Sequence, residues 1–178
     1  MTAVTPIAMT EALRAAGPAA DRADKMALYG WLVGSWAVEV FDGPPEGPRS
    51  RLTGEWHFGW VLEGRAIQDV YIVPGRAARG PDTPLKGNRC GTTLRVYDPR
   101  IDAWRITWVN PVNGAQDQMI GRKAGDAIVQ EGASADGTKI RWSFVDITAN
   151  SFRWTGEVSP DGGATWRLAV EFLARRVG

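Results

Sequence analysis

Ten segments with alternating apolar and polar residues follow one another from Trp36 onward, and this pattern constrains the fold more than any other feature. An alternation of period two is typical of β-strands that bury one face. The predicted strands are 36–41, 52–58, 65–73, 91–98, 103–110, 116–123, 126–132, 138–147, 151–158 and 165–175. Many of the connections are short and rich in turn formers, so consecutive strands pair antiparallel. A meander this long leaves two exposed edges unless it closes, so we predict an all-β fold, an antiparallel barrel of eight to ten strands.

Two short helices are predicted before the barrel. Residues 10–16 form the first, which ends at Gly17-Pro18, and residues 21–32 form the second. Met26, Tyr29 and Leu32 share one face of the second helix, which would therefore pack across one end of a barrel. We divide the chain into an N-terminal arm, residues 1–24, and a barrel domain, residues 25–178.

The composition narrows the classes of function. Lysine and arginine number 21 against 20 acidic residues, so we expect no nucleic-acid partner. No apolar stretch is long enough to span a bilayer, and the N-terminus lacks the features of a signal peptide, so we predict no membrane partner and a cytoplasmic protein. With one cysteine, Cys90, and one histidine, His57, we predict no metal site and no cofactor. A monomer and a homodimer both stay open.

The segment Gly34-Ser35-Trp36 stands between the second helix and the first strand. It resembles the opening motif of lipocalins and the wider calycin barrels, in which an arginine after the last strand lies over this tryptophan. The resemblance implies that Arg175 or Arg176 stacks on Trp36. Segments 54–65 and 93–98 are in turn similar to bacterial lipocalin-like domains of unknown function. That resemblance implies a barrel with a cavity, and it implies no reaction.

The two faces of the predicted strands differ in chemistry. Aromatic residues share one face, as Trp104 and Trp108 do, and charged residues such as Arg105 occupy the other. We therefore expect an aromatic-rich interior in a tryptophan-rich chain with nine tryptophans. The same alternation places five polar residues on the interior face of their strands: Gln68, Asn110, Gln118, Gln130 and Asp146. A buried amide without a partner costs about 1–3 kcal/mol, so each needs a side chain, a water or a ligand. The alternative is that they lie at the rim, where water satisfies them.

An aromatic cavity with a few placed polar groups is typical of small-molecule sites. We therefore predict a binding barrel for an apolar or aromatic small molecule. The predicted ligand-binding residues are Trp56, Gln68, Trp108, Asn110, Gln118, Gln130, Trp142, Asp146 and Trp154.

Two other functions stay open, and no catalytic residue is assigned. The first is a cofactor-independent isomerase or cyclase in which Glu55 with His57, or Asp146, moves a proton inside the cavity. The second is a nitrobindin-like haem protein with His57 as the axial ligand. The alternation places Glu55 and His57 on the outer face, as a surface pair, unless a bulge reverses the strand.

Two connecting segments have recognisable chemistry. Residues 159–166 resemble the Asp-box hairpin of sialidase propellers, and the resemblance implies a tight structural turn held by Asp161. The longest connection, residues 74–89, is either a lid or a solvated loop.

Overall fold

The computed structural model describes residues 7–80 and 88–177, which form a closed barrel of ten antiparallel strands. The strands are β1 (Gly34–Asp42), β2 (Ser50–Val61), β3 (Ala66–Val73), β4 (Arg89–Asp98), β5 (Ala103–Asn110), β6 (Ala115–Ala124), β7 (Ala127–Ala133), β8 (Lys139–Val145), β9 (Ser151–Ser159) and β10 (Arg167–Val177). Each strand pairs with its neighbours in sequence, and β1 pairs with both β2 and β10. The predicted closed antiparallel barrel is confirmed, because closure removes the two edges that a ten-stranded meander would expose.

In the part of the chain that the structure describes, two α-helices precede the strands, α1 (Met9–Leu13) and α2 (Ala23–Gly30), together with a 3₁₀ turn at Ala20–Arg22. A second 3₁₀ turn spans Arg76–Ala78. The short N-terminal helices of the prediction are thus present. Within the described ranges, neither helix is long and apolar enough to cross a membrane.

Helix α2 closes one end of the barrel. Met26 and Tyr29 are fully buried, as is Leu32 just after the helix. The Tyr29 ring packs edge-on against Trp104, with ring centroids 4.9 Å apart. Its hydroxyl donates to Oε1 of Gln130 on β7 at 3.2 Å. The apolar face of α2 therefore forms the floor of the barrel interior.

The junction between α2 and β1 is held by Trp36 and Arg176. Trp36 is fully buried, and the Arg176 guanidinium lies 4.2 Å from its ring centroid, as the resemblance implied. Arg176 also donates to the carbonyl oxygens of Trp31 at 2.6 Å and Val33 at 3.0 Å. Gly34 has a φ of 129°, and a Cβ there would lie 2.7 Å from Nη1 of Arg176. Glycine is favoured at this position because other residues rarely adopt its backbone conformation, and a side chain would also have to displace the Arg176 guanidinium.

The arm and the long loop both pack on β2 or its neighbours. Leu62 donates a backbone hydrogen bond to Leu13 at 2.9 Å, and Ala15 donates one to Trp60 at 2.9 Å. Arg79 donates to the carbonyl oxygen of Pro74 at 2.8 Å, so the first part of the long loop folds back on itself. Residues 81–87 of the predicted lid lie outside the described residues. The boundary between the N-terminal arm and the barrel domain, placed after residue 24, stays a prediction.

The turn between β9 and β10 has the hydrogen bonds expected of an Asp-box. Oδ1 of Asp161 accepts from the backbone N–H of Thr165 at 2.8 Å, and Oδ2 accepts from its hydroxyl at 2.6 Å. These bonds lower the pKa of Asp161 far below its usual range, with the Thr165 side chain as the largest cause. The predicted structural turn is confirmed.

Candidate functional site

A cavity of about 110 Å³ lies in the half of the barrel away from α2. Its wall consists of Trp56, Tyr71, Thr93, Arg95, Trp108, Trp142, Trp154 and Phe172. The four tryptophans that the sequence predicted for a ligand site are thus brought together around one space.

The aromatic rings of the wall pack against one another, which fixes their orientation. Phe172 stacks on Trp154, with ring centroids 4.5 Å apart, and on Tyr71 at 5.1 Å. Trp142 meets Trp154 edge-on at 5.3 Å, and Trp108 continues the series from Trp142 at 6.1 Å. Trp108 and Trp142 are only partly buried, whereas the other four rings of the wall are buried. The cavity therefore opens beside Trp108 and Trp142.

A buried ion pair forms the polar part of the wall. Nη1 of Arg95 on β4 lies 2.5 Å from Oδ2 of Asp69 on β3, and the two side chains are 1% and 0% exposed. The other carboxylate oxygen of Asp69 accepts from the backbone N–H of Thr93 at 3.1 Å. The guanidinium also lies 5.5 Å from the Phe58 ring and 5.6 Å from the Tyr29 ring, on the side of α2. Its charge is thus balanced by one carboxylate and by the faces of aromatic rings.

Among the described residues, three donors on side chains that line the cavity are fully buried and have no partner. They are Nε of Arg95, Nε1 of Trp56 and the hydroxyl of Tyr71. Burial raises the pKa of Tyr71 far above its usual value, so the phenol keeps its proton. Arg89, paired with Asp42, lies near this phenol, but a guanidinium donates only, so the O–H of Tyr71 stays available to donate. A buried donor without a partner costs about 1–3 kcal/mol.

The structure corrects the orientation of Gln68 and Gln118. On β3 the interior positions are Ile67, Asp69, Tyr71 and Val73, and on β6 they include Met119 and Gly121. Gln68 therefore lies on the outer face, where it donates to Oγ1 of Thr92 at 2.9 Å. Gln118 is exposed on the outer face of β6. The predicted interior placement of these two glutamines is wrong, because on both strands it is the other alternate set of residues that faces the interior.

The remaining polar residues of the predicted set are spread over the barrel. Asp146 is exposed after β8 and accepts from Arg153 at 2.8 Å, so its predicted interior placement is also wrong. Asn110 ends β5 at the rim, and its side-chain oxygen accepts from the backbone N–H of Val112 at 3.0 Å. Gln130 faces the interior and is fully buried, but it bonds to Tyr29 near α2. None of the predicted amides lines the cavity.

Glu55 and His57 lie on the outer face of β2 in a chain of hydrogen bonds. Ser35 bonds to Nδ1 of His57 at 2.9 Å, and Nε2 of His57 bonds to Glu55 at 2.9 Å. Arg76 donates to Glu55 from its backbone N–H at 2.6 Å and from Nε at 3.0 Å. These bonds, with the Arg76 side chain as the largest cause, lower the pKa of Glu55 to about 2. The ionised Glu55 can only accept, so Nε2 of His57 donates the hydrogen bond between them.

This placement removes the groups on which both alternative functions depend. Glu55, His57 and Asp146 all lie outside the cavity, so none of them reaches a substrate bound there. Both ring nitrogens of His57, the single histidine, are already hydrogen-bonded on the outer wall, so His57 does not fit the role of a haem ligand inside the barrel. Among residues 7–80 and 88–177, no three His, Cys, Asp or Glu side chains cluster as a metal site.

Sequence reasoning missed Arg95, which lines the cavity, and Asp69, its buried partner. The rule that charged residues face outward excluded both from the interior. A usable signal was present, however, since each interrupts an apolar or aromatic alternation. Asp69 stands between Ile67 and Tyr71, and Arg95 lies two residues before Tyr97. Opposite charges at such positions on adjacent strands indicate a buried pair.

No protein-family model and no curated protein matches the chain. Several solved structures resemble it, including the following two. The structure of Rv2717c from M. tuberculosis has a TM-score of 0.59 and 15% identity, over 86% of this chain and 98% of that one. The S-type phycobiliprotein lyase CPES from Guillardia theta has a TM-score of 0.56 and 11% identity, over 85% and 92%. At these identities the likeness concerns the fold alone, and together with the ten-stranded barrel it indicates a lipocalin-like fold.

Proposed function

We propose that this barrel binds a small molecule in the cavity between Trp108, Trp142 and the Asp69–Arg95 pair. The observation that carries the proposal is an aromatic-walled cavity whose lining also includes Arg95, held by Asp69 in a buried ion pair. Small-molecule sites combine mostly aromatic walls with a few fixed polar groups. The aromatic stacking of the wall holds its rings in place before a ligand arrives, so little ordering entropy is lost on binding.

The size of the cavity limits the ligand. An engineered cavity of about 150 Å³ in another protein accepts benzene, and this one measures about 110 Å³. Because it opens beside two partly buried tryptophans, a ligand can extend from it toward solvent. We therefore propose a ligand with one ring or a short apolar chain in the cavity itself.

A fragment screen tests the proposal. The full chain is screened by ligand-observed NMR against small neutral, anionic and cationic compounds, and binding is confirmed by a change in tryptophan fluorescence. The same screen is run on Thr93→Ile, which replaces a hydroxyl group of the cavity wall with a bulkier ethyl group. Thr53→Ile makes the same change on the exposed outer face of β2 and serves as the matched control.

The expected result is that fragments bind to the wild-type chain and to Thr53→Ile but not to Thr93→Ile. A screen without hits would overturn the proposal, and so would hits that Thr93→Ile retains unchanged. Thermal unfolding of both variants verifies that each still folds, so lost binding is separable from lost structure.

A further inference from the structure

We propose that Ser35, His57 and Glu55 form a hydrolytic site on the outer wall of the barrel, which cleaves esters of short aliphatic acids. Ser35 is the nucleophile, His57 is the general base, and Glu55 positions the imidazole. All three alternate with buried residues of β1 and β2, so they lie on the opposite side of the sheet from the cavity. The proposal is therefore independent of the cavity ligand.

The three side chains are joined in the order that nucleophilic catalysis requires. The Ser35 hydroxyl lies 2.9 Å from Nδ1 of His57, and Nε2 donates to Oε2 of Glu55 at 2.9 Å. When the imidazole is neutral, its proton is on Nε2, and Nδ1 has a lone pair that accepts the proton of Ser35. A hydroxyl bonded to a base that a third group orients is the general arrangement of an activated nucleophile.

The sheet and an arginine hold this chain of hydrogen bonds in place. Ser35 and His57 are opposite each other in the β1–β2 register, so the backbone sets their separation. Arg76 donates to both oxygens of Glu55, from Nε at 3.0 Å and from Nη2 at 3.2 Å. These bonds lower the pKa of Glu55 to about 2, so its carboxylate is ionised at neutral pH. Its charge stabilises the imidazolium that forms when His57 takes a proton.

A substrate can reach the pair, because it is open to solvent beside a groove. The His57 side chain is 32% exposed, and Ser35 is partly exposed. The groove has a volume of about 350 Å³ and lies between the N-terminal arm and β2. Gly34 and Phe58 line it and form the next cross-strand pair after Ser35 and His57, so it begins about 3.4 Å along the strands from them.

The groove is suited to an aliphatic acyl chain. Its lining is mainly apolar and includes Leu13, Val33 and Val61. Gly59 belongs to the lining too, and a Cβ built there meets open space, so no side chain fills this part. Among the described lining residues Arg14 alone is charged, and its guanidinium is the group there that can stabilise negative charge on a carbonyl oxygen.

The reaction is an acyl transfer in two steps, with water as the second reactant. The Ser35 oxygen bonds to the ester carbonyl carbon while its proton moves to Nδ1 of His57. The bond to the alcohol oxygen breaks, and the alcohol leaves with that proton. Water then attacks the acyl-serine and gives a proton to Nδ1. The acid leaves, and the proton returns to the Ser35 oxygen.

Hydrolysis of 4-nitrophenyl butyrate by the full, untagged chain tests the proposal. We expect hydrolysis above the uncatalysed rate, and peptide mapping of the acid-quenched reaction should find a butyryl group on Ser35. Ser35→Ala and His57→Gln should each lower the rate about a hundredfold, typical of a lost general base or nucleophile. Ser50→Ala is the matched control, because this exposed serine donates to Asp42 and not to a histidine, and it should keep the wild-type rate.

Two further variants test the positioning residue and the groove. His57 is the single histidine, so the imidazole ¹⁵N signals report which of its nitrogens carries the proton. Glu55→Gln should lower the rate and the fraction of neutral imidazole protonated on Nε2, because the amide does not require a donor there. Gly59→Leu occupies the open part of the groove and should slow hydrolysis of the butyrate several-fold more than that of the acetate.

Three results would overturn the proposal. They are an ester that the wild-type chain leaves intact, an acyl group on a residue other than Ser35, and a Ser35→Ala variant that hydrolyses the ester at the wild-type rate. In the last case the imidazole alone would be the reactive group. Thermal unfolding verifies that each variant folds. All the variants lie outside the cavity, so these results leave the proposed binding function standing.

Discussion

Arg95 and Asp69 form an ion pair inside the barrel, with 2.5 Å between Nη1 and Oδ2 and almost no exposure of either side chain. The two residues come from adjacent strands, and Asp69 also accepts from the backbone of Thr93, opposite it in the β3–β4 register. The pair therefore ties β3 to β4 from within. It also supplies the polar side of a cavity whose other walls are mainly aromatic.

Breaking this pair should be among the most destabilising changes in the barrel. Asp69→Asn keeps the shape but leaves Arg95 as an uncompensated buried charge, so we expect a loss of about 3–5 kcal/mol in the free energy of unfolding. Glu39→Gln breaks an exposed pair with Arg51 at the same 2.5 Å and should cost at most about 1 kcal/mol. Urea unfolding measures the free energy of unfolding of both variants.

The double change Asp69→Leu with Arg95→Met removes both charges and should recover much of the loss. Similar losses in Asp69→Asn and Glu39→Gln would refute the role of burial.

Trp36 and Trp166 provide a second comparison, because each lies 4.2 Å from a guanidinium. Trp36 is fully buried under Arg176, whereas Trp166 is partly exposed beside Arg141. Trp36→Ala should cost about 3–5 kcal/mol, typical of a large core truncation. Trp166→Ala should cost much less, close to the 0.5–1 kcal/mol that is roughly expected for an exposed cation–π pair. A loss below about 1 kcal/mol for Trp36→Ala would show that the residue is peripheral.

Gly91 controls the position of Trp108 at the cavity mouth. A methyl group at Gly91 would collide with the Trp108 ring and lie 2.7 Å from the carbonyl oxygen of Val109. We expect Gly91→Ala to destabilise the barrel by about 1–3 kcal/mol through overpacking. Gly59→Ala on β2 meets open space and should be neutral or stabilising by up to about 1 kcal/mol. Thermal unfolding and the tryptophan emission maximum measure the two effects, and a neutral Gly91→Ala would show that the ring moves freely.

The hydrogen bonds of Glu55 predict how stability depends on pH. The pKa of Glu55 falls from 4.5 to about 2 in the folded chain, chiefly because Arg76 bonds to the carboxylate. A lowered pKa stabilises the folded state above pH 4.5, and this contribution is lost as the pH falls toward 2. Glu55→Gln should therefore show a shallower fall in the free energy of unfolding over this range, as measured by urea unfolding at several pH values. Glu46→Gln, in an exposed loop, should keep the wild-type slope, and identical slopes for all three proteins would contradict the prediction.

The amino-acid sequence by itself determined the architecture. Alternation of period two defined the strands, turn formers such as Asp136 and Gly137 defined their antiparallel order, and the number of strands required closure. The position of Trp36 before the first strand and of Arg176 at the end of the last one predicted their contact. These features are readable because each depends on local spacing or on the order of strands along the chain.

Tertiary structure alone decided the contents of the barrel. β3 carries apolar residues on both faces, Ala66 and Ile72 on one and Ile67 and Tyr71 on the other, so its alternation did not reveal which face is inside. The choice depends on Asp69, whose burial is tolerated only because Arg95 neutralises it from β4. The cavity likewise depends on how side chains from most of the strands fill one volume, and a one-dimensional pattern contains no information on what that packing leaves empty.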